Sequence, residues 1–121
     1  MLAKVVVKFR QGTGTRKIDV WASSLDDAIE RVLNSSENVK REAIIYARVA
    51  RMTIYEIKRI VEQQGNKFFA RDSMRFFRQT LKDFSVNRWG DGKFLVRAQS
   101  FGGHITEIIY LPFTGELRPL K

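Results

Sequence analysis

The stretch Lys67-Phe-Phe-Ala-Arg-Asp-Ser-Met-Arg-Phe-Phe-Arg-Gln-Thr-Leu-Lys82 contains four of the chain's nine phenylalanines and five basic residues. A side-chain oxygen of Asp72 or Ser73 can accept a hydrogen bond from a free N–H of a first helical turn, so we predict a helix beginning there. Apolar residues then recur with spacings of three, four and three, which places them on one stripe: Met74, Phe77, Leu81 and Phe84. The sequence therefore predicts an amphipathic helix.

A second stripe of the same predicted helix is entirely basic. Its members are spaced by four, three and four residues: Arg71, Arg75, Arg78 and Lys82. Like charges four residues apart destabilise an isolated helix by a few tenths of a kcal/mol per pair. The stripe is either a solvated face that keeps the domain soluble or a surface that binds phosphate groups. We keep both interpretations open.

The overall composition indicates one domain that meets an acidic partner. A chain of 121 residues suits a single domain spanning 1–121. The net charge of +9 and the pI near 10.3 favour nucleic acid, an anionic membrane surface or an acidic protein. Without cysteine, neither a disulfide framework nor a thiolate zinc site can form. We find no signal peptide and no apolar run long enough to span a bilayer.

Two alternating segments, 3–10 and 16–22, predict a β-hairpin whose loop is longer than two residues. Val5, Val7 and Phe9 are expected to face inward. The outward positions carry Lys4, Lys8, Arg10, Lys17 and Trp21. Trp21 either stacks on a nucleic-acid base, is covered by a helix, or is simply an exposed strand aromatic.

The remaining pattern predicts an α+β fold with a largely antiparallel sheet and about three helices on one face. Ser24 is expected to cap a first helix, and Thr53 with Glu56 fits the capping box of a second helix. Segment 42–52 is apolar on both faces and is predicted to be a central strand. Further strands are expected at 85–89, 93–101, 104–111 and 116–118. The predicted order is β-β-α-β-α-α-β-β-β.

No arrangement of residues indicates a catalytic or metal site. His104 is the single histidine and follows a Gly-Gly turn, so no catalytic triad can be assembled around it. Neither Gly12-Thr-Gly14 nor Gly90-Asp-Gly-Lys93 has the spacing of a phosphate-binding loop. We therefore expect a protein that is not an enzyme and that uses no cofactor and no metal.

The Phe-Phe-x-Arg-Asp-[Ser/Thr]-Met-Arg-Phe-Phe string at 68–77 resembles a small domain found in phage and mobile-element proteins. Trp89-Gly-Asp-Gly92 and Pro112-Phe-Thr-Gly-Glu-Leu-Arg118 extend the resemblance over residues 67–118. The resemblance brings no catalytic residues. What it implies is a phage or mobile-element setting, and hence action in the cytoplasm of a bacterial host cell.

The leading hypothesis is a non-enzymatic, phage-type protein that binds nucleic acid. The basic helix stripe and its neighbours would contact phosphates: Lys67, Arg71, Arg75, Arg78, Lys82, Arg88, Lys93 and Arg97. A secondary basic surface would come from the hairpin residues Lys4, Lys8, Arg10, Lys17 and Trp21. The alternative is a phage-encoded inhibitor whose cations pair with an acidic host defence protein, such as a CRISPR effector nuclease. The choice between DNA and RNA and the oligomeric state stay open.

Overall fold

The computed structural model of the chain describes residues 1–64, 84–99 and 105–120. The chain divides into two compact units, Met1–Ala50 and Arg51–Lys121, and each is described by itself. The predicted basic helix at 72–82 and the predicted Gly102-Gly103 turn lie outside the described residues.

The predicted fold class is wrong. The described strands form two separate antiparallel sheets, one of three strands and one of four, and not a single sheet with about three helices on one face. The described part of the chain is predominantly β, with one α-helix in each unit. Alternation of apolar and polar residues identifies strands, but it does not tell which strands share hydrogen bonds, and this is where the prediction failed.

The first unit is a three-stranded sheet with one helix. Its strands are β1 (Ala3–Gln11), β2 (Gly14–Ala22) and β3 (Ile44–Val49), and its helix is α1 (Leu25–Leu33). A short 3₁₀ helix, Arg41–Ala43, leads into β3. The strand order is β2-β1-β3, with both pairings antiparallel. The predicted hairpin and first helix are therefore confirmed.

The hairpin loop is shorter than predicted. Gln11 pairs with Gly14, so only Gly12 and Thr13 connect the strands. Gly12 has φ 61, a left-handed conformation that glycine adopts without the steric penalty of a Cβ. Glycine at the first position of a two-residue turn matches the strand twist of a hairpin. The turn therefore fixes the register of β1 against β2.

The core of the first unit lies between α1 and one face of the sheet. Val5, Val7 and Phe9 are fully buried, and so are Ala28 and Val32 of α1. Burying a Val or Phe side chain contributes about 1.5–3 kcal/mol. The alternation of β1 therefore commits one face to the core and leaves the opposite face to solvent.

The predicted central position of the third strand is wrong. The central strand is β1, and β3 lies at the end of the sheet order. Ala47 and Val49 face the core, whereas Ile45 is 43% exposed. The strand was predicted to be central because both of its faces carry apolar residues, but Tyr46 on the solvent side packs with basic side chains instead of with a second core layer.

The N-terminus of α1 is capped as predicted. The Ser24 hydroxyl accepts a hydrogen bond from the Asp27 N–H at 2.9 Å, and the Asp27 carboxylate accepts one from the Ser23 N–H at 2.8 Å. The Ser23 backbone hydrogen bond is the main reason that the pKa of Asp27 lies below its ordinary value. Arg31 adds an ion pair one turn later. The cap fixes where the chain leaves β2 and turns back over the sheet.

The second unit contains α2 (Ile54–Gln64) and a four-stranded sheet. Its strands, in sheet order, are β4 (Phe84–Arg88), β5 (Phe94–Gln99), β6 (Ile105–Leu111) and β7 (Glu116–Pro119). All neighbours are antiparallel. The capping box at the start of α2 is confirmed, because the Thr53 N–H donates to Glu56 at 2.7 Å and the Glu56 N–H donates to the Thr53 hydroxyl at 3.2 Å.

The described end of α2 is tied to the edge strand β7. The Gln64 side-chain amide donates to the Gly115 carbonyl at 2.6 Å, and its oxygen accepts from the Leu117 N–H at 2.9 Å. Burial, together with the nearby Glu56 carboxylate, raises the pKa of Tyr110 above its ordinary value. The two hydrogen bonds of Gln64 place the end of α2 beside β7. No helix in the described ranges is long and apolar enough to cross a membrane.

Candidate functional site

The most distinctive surface in the described part of the chain is the side of the first sheet that faces away from α1. We call it the outer face. Strand alternation and register bring ten side chains onto it: Lys4, Val6, Lys8, Arg10, Thr15, Lys17, Asp19, Trp21, Tyr46 and Arg48. No helix of the first unit covers this side, since α1 packs on the buried faces of the same strands.

The strand register orders these side chains into rows across the sheet. Lys8 of the central strand lies between Lys17 on β2 and Tyr46 on β3. The next row is Asp19, Val6 and Arg48, and the row beyond it pairs Trp21 with Lys4. Neighbouring strands are about 4.8 Å apart, so side chains within a row lie close enough to contact one ligand together.

Two aromatic residues lie among these cations. Trp21 is 60% exposed, although a ring of its size is mostly buried in folded proteins. The Arg48 guanidinium carbon lies 4.1 Å from the centre of the Tyr46 ring, and the Lys8 ammonium nitrogen lies 5.9 Å from it. These are cation–π distances. The tyrosine therefore holds basic side chains against the sheet surface.

Charge is distributed unequally between the two sides of the first unit. On the helix side, arginines have carboxylate partners on α1 or in the loop that follows it: Arg16 with Glu37, Arg31 with Asp27, and Arg41 with Glu30. The outer face has five cations and a single acid, Asp19. Asp19 pairs with Lys4 at 3.5 Å. Within the described ranges, neither Arg10 nor Lys17 makes an ion pair, so the outer face is strongly positive.

One pair on the outer face is electrostatically unfavourable. Lys8 and Lys17 lie directly opposite each other on β1 and β2. Like charges at directly opposite positions destabilise an antiparallel pair of strands. A carboxylate at either position would replace the repulsion with an attraction like that of the Lys4–Asp19 ion pair elsewhere on the face. The Lys8 ammonium is directed towards the Tyr46 ring on β3, away from Lys17 on β2.

Of the eight residues predicted for the main binding surface, the structure describes three. Lys67, Arg71, Arg75, Arg78 and Lys82 lie outside the described residues. The other three, Arg88, Lys93 and Arg97, belong to the second unit. The secondary surface, by contrast, is brought together as one face of the first sheet: Lys4, Lys8, Arg10, Lys17 and Trp21.

The second sheet does not unite its three predicted cations. Arg88 is opposite Phe94 on the largely buried side, and its guanidinium carbon lies 5.5 Å from that ring. Arg97 projects from the other side of the sheet, directly across from Glu107. Lys93 lies in the turn, where its carbonyl accepts from a backbone N–H at 2.9 Å. These residues therefore do not form one binding surface.

Sequence reasoning missed Tyr46 and Arg48. Alternation did assign both to the same side of the third strand, but it could not tell which strand would lie beside β3. Once β3 is paired with β1, Val6 lies opposite Arg48 and Lys8 lies opposite Tyr46. This pairing shows that Tyr46 and Arg48 belong to the same face as the hairpin lysines. The missing information was the strand pairing.

Comparisons with models of protein families, with curated proteins and with solved structures found no match for this chain. Across residues 1–64, 84–99 and 105–120, no three His, Cys, Asp or Glu side chains come together in a group suited to hold a metal ion. The arrangement of charge and aromatic rings on the outer face is therefore the feature from which function is argued.

Proposed function

We propose that this chain is a non-enzymatic nucleic-acid-binding protein and that the outer face of the first sheet contacts the ligand. The observation that carries the proposal is the sorting of charge in the first unit. Three arginines on the helix side have carboxylate partners, whereas Lys8, Arg10 and Lys17 make no ion pair within the described ranges and share the outer face with Trp21 and Tyr46. Basic side chains interleaved with aromatic rings are typical of surfaces that bind phosphates and bases.

The number of cations sets the expected strength of the electrostatic contribution. In the described part of the chain, Lys8, Arg10 and Lys17 make no ion pair, so the outer face offers about three positive charges to phosphates. Neutralising about three phosphates gives a logarithmic salt slope of roughly −2 to −3. Affinity should then fall roughly 20- to 40-fold between 50 and 200 mM salt. Contacts of this kind supply affinity without reading a base sequence.

From the sequence resemblance, we further propose that the chain is a phage or mobile-element protein that acts in the bacterial cytoplasm. An acidic host protein, such as a defence nuclease, is the alternative partner. The outer face gives this alternative its own support, because it carries Trp, Tyr and Arg, the residue types that dominate binding energy in protein interfaces. The cations would then pair with carboxylates and mainly speed association.

Two measurements on the full chain decide between these partners. The first is fluorescence anisotropy with labelled 15-nucleotide DNA, 15-nucleotide RNA and a 15-base-pair duplex over a salt series. Binding at 50 mM salt with the slope given above supports the proposal. The second is a pull-down from bacterial lysate with and without nuclease. Absence of binding to all three probes, together with recovery of one host protein regardless of nuclease, contradicts the proposal and supports the inhibitor.

The predicted basic stripe at 71–82 stays part of the proposal. One variant measures how much this stripe contributes to nucleic-acid affinity. The triple change Arg75→Glu, Arg78→Glu and Lys82→Glu leaves the predicted apolar stripe untouched. If this variant loses nucleic-acid binding with an unchanged far-UV spectrum, the main contacts belong to residues 67–82. If it keeps most of the affinity, the main contacts belong to the outer face.

A further inference from the structure

We infer that the outer face binds single-stranded nucleic acid, with Trp21 stacking on an unpaired base and the Tyr46–Arg48 pair forming a second contact. This inference rests on the proposed function and specifies its ligand. It follows from three properties of the face: its width, the exposure of Trp21 and the position of a cation beside each aromatic ring.

The width of the sheet argues against insertion into a duplex groove. In the order β2-β1-β3, the two outer strands are two strand spacings apart, about 10 Å between strand axes. Side chains at both edges extend the face beyond the major groove, which is about 12 Å wide and admits one helix or a two-stranded ribbon. The minor groove is narrower still. The sheet therefore cannot use all three of its strands inside a duplex groove, whereas a flexible single strand can lie across them.

The aromatic residues lie at opposite corners of this surface. Trp21 is level with Lys4, and Tyr46 is level with Lys8, four residues further along the central strand. This separation is about 13 Å along the strands and about 10 Å across them, or roughly 16 Å on the diagonal. Val6 lies at the middle of this diagonal, and each corner has a cation beside it, Lys4 next to Trp21 and Lys8 next to Tyr46. A single strand crossing the face can therefore stack at both ends and have a phosphate neutralised beside each ring.

The chemistry of the two corners explains a preference for unpaired bases. The Trp21 side chain is mostly accessible, and an indole ring stacks on any base once that base is released from pairing. Tyr46 lies against the Arg48 guanidinium, and guanidinium planes also stack on bases and approach phosphates. A duplex keeps its base faces stacked inside the helix, so these contacts become available only with single strands.

The direct test uses Trp21 as its own reporter. The chain has two tryptophans, so Trp89→Phe leaves Trp21 as the single one. We expect the dT 15-mer to quench the fluorescence of this variant on binding, and we expect the 15-base-pair duplex to bind more weakly without comparable quenching. In the same background, Trp21→Leu should lower affinity for the dT 15-mer about tenfold, the effect of losing one stacked base. Trp21→Phe retains a ring and should lower it about threefold or less.

The controls separate this inference from the proposed function. Tyr55→Leu removes an aromatic side chain that is 83% exposed in the second unit, and it should leave affinity unchanged. Duplex binding as tight as dT binding, or full dT affinity in Trp21→Leu, overturns the single-strand inference while nucleic-acid binding stands. Failure of the Trp89→Phe protein to bind the dT 15-mer, the 15-nucleotide RNA and the duplex overturns both. The quenching measurement leaves Trp21 in place, so it stays decisive even if Trp21→Leu folds poorly.

Discussion

At the scale of single residues, alternation predicted which side chains are exposed better than it predicted which of them act together. Lys4, Lys8 and Trp21 were assigned to the outward side of the hairpin, and the register confirms that they share one face. Arg88 and Arg97 were grouped because they are close in sequence and basic. The register puts them on opposite sides of the second sheet. Arg97 pairs with Ser85, and Ser85 lies three residues before Arg88 on the same strand. An odd separation along a strand puts two side chains on opposite faces of the sheet.

The Lys8–Lys17 pair gives a prediction in which stability and binding change in opposite directions. Changing Lys17 to Glu replaces a directly opposed like-charge pair with an opposite-charge pair. We expect the free energy of unfolding to rise by a few tenths of a kcal/mol. We also expect affinity for the dT 15-mer to fall, because the net charge of the outer face decreases by two units. Urea denaturation and fluorescence anisotropy measure the two effects.

The matched control is Lys40→Glu, which makes the same charge change at an exposed position outside the outer face. It should leave the free energy of unfolding unchanged and should lower affinity for the dT 15-mer only by the small effect of net charge. If Lys17→Glu leaves affinity unchanged, or weakens binding no more than Lys40→Glu does, then Lys17 is a solvated surface residue and not a ligand contact.

At the scale of elements, the sequence predicted where the helices begin but not which strands pair with each other. The capping hydrogen bonds of Ser24 and of the Thr53–Glu56 box join residues three positions apart in the sequence. The local sequence is therefore enough to predict where each helix begins. The position of β3 depends on which strand it joins, which no local pattern states. The hairpin loop was predicted to be too long because Gln11 and Gly14 look like turn residues but continue the ladder.

The Gln64 side chain illustrates a contact between elements that sequence could not reveal. It satisfies the Leu117 N–H and the Gly115 carbonyl, as a neighbouring strand would on the edge of β7. Gln64→Leu keeps an apolar stem but leaves both backbone groups without that partner. We expect a loss of about 1–3 kcal/mol in the free energy of unfolding, measured by urea denaturation. Hydrogen exchange of the Leu117 amide should accelerate in the same variant.

Gln63→Leu is the control for this contact, because Gln63 is the exposed neighbour on the same helix. It should leave both stability and exchange close to those of the parent chain. Equal effects of the two substitutions would show that α2 is not anchored to β7 through the Gln64 amide.

At the scale of the whole molecule, composition predicted the sign of the partner but not the arrangement of the sheets. The net charge of +9 is set by the sequence alone, and it favours a polyanion whatever the fold. The division into sheets β2-β1-β3 and β4-β5-β6-β7 depends on contacts between residues distant in sequence. What the fold adds to the composition is placement: it neutralises the helix side of the first unit and concentrates positive charge on the outer face.

The central claim is that placement of charge, and not its total, makes the outer face a binding surface. Two double variants test it, since each lowers the formal net charge of +9 by four units. Lys8→Glu with Lys17→Glu alters the outer face and retains a like-charge pair across the strands. Lys40→Glu with Arg51→Glu alters exposed cations that lie outside the outer face. Because both proteins carry the same total charge, any difference in affinity reports position.

The measurement is the dissociation constant of the dT 15-mer for both double variants over a salt series, by fluorescence anisotropy. We predict that the outer-face variant loses affinity by about tenfold or more and that its logarithmic salt slope becomes shallower by about two. The control variant should keep the parent slope and stay within about threefold of the parent affinity. Equal losses in the two variants would contradict the account, because they would show that total charge alone attracts the nucleic acid.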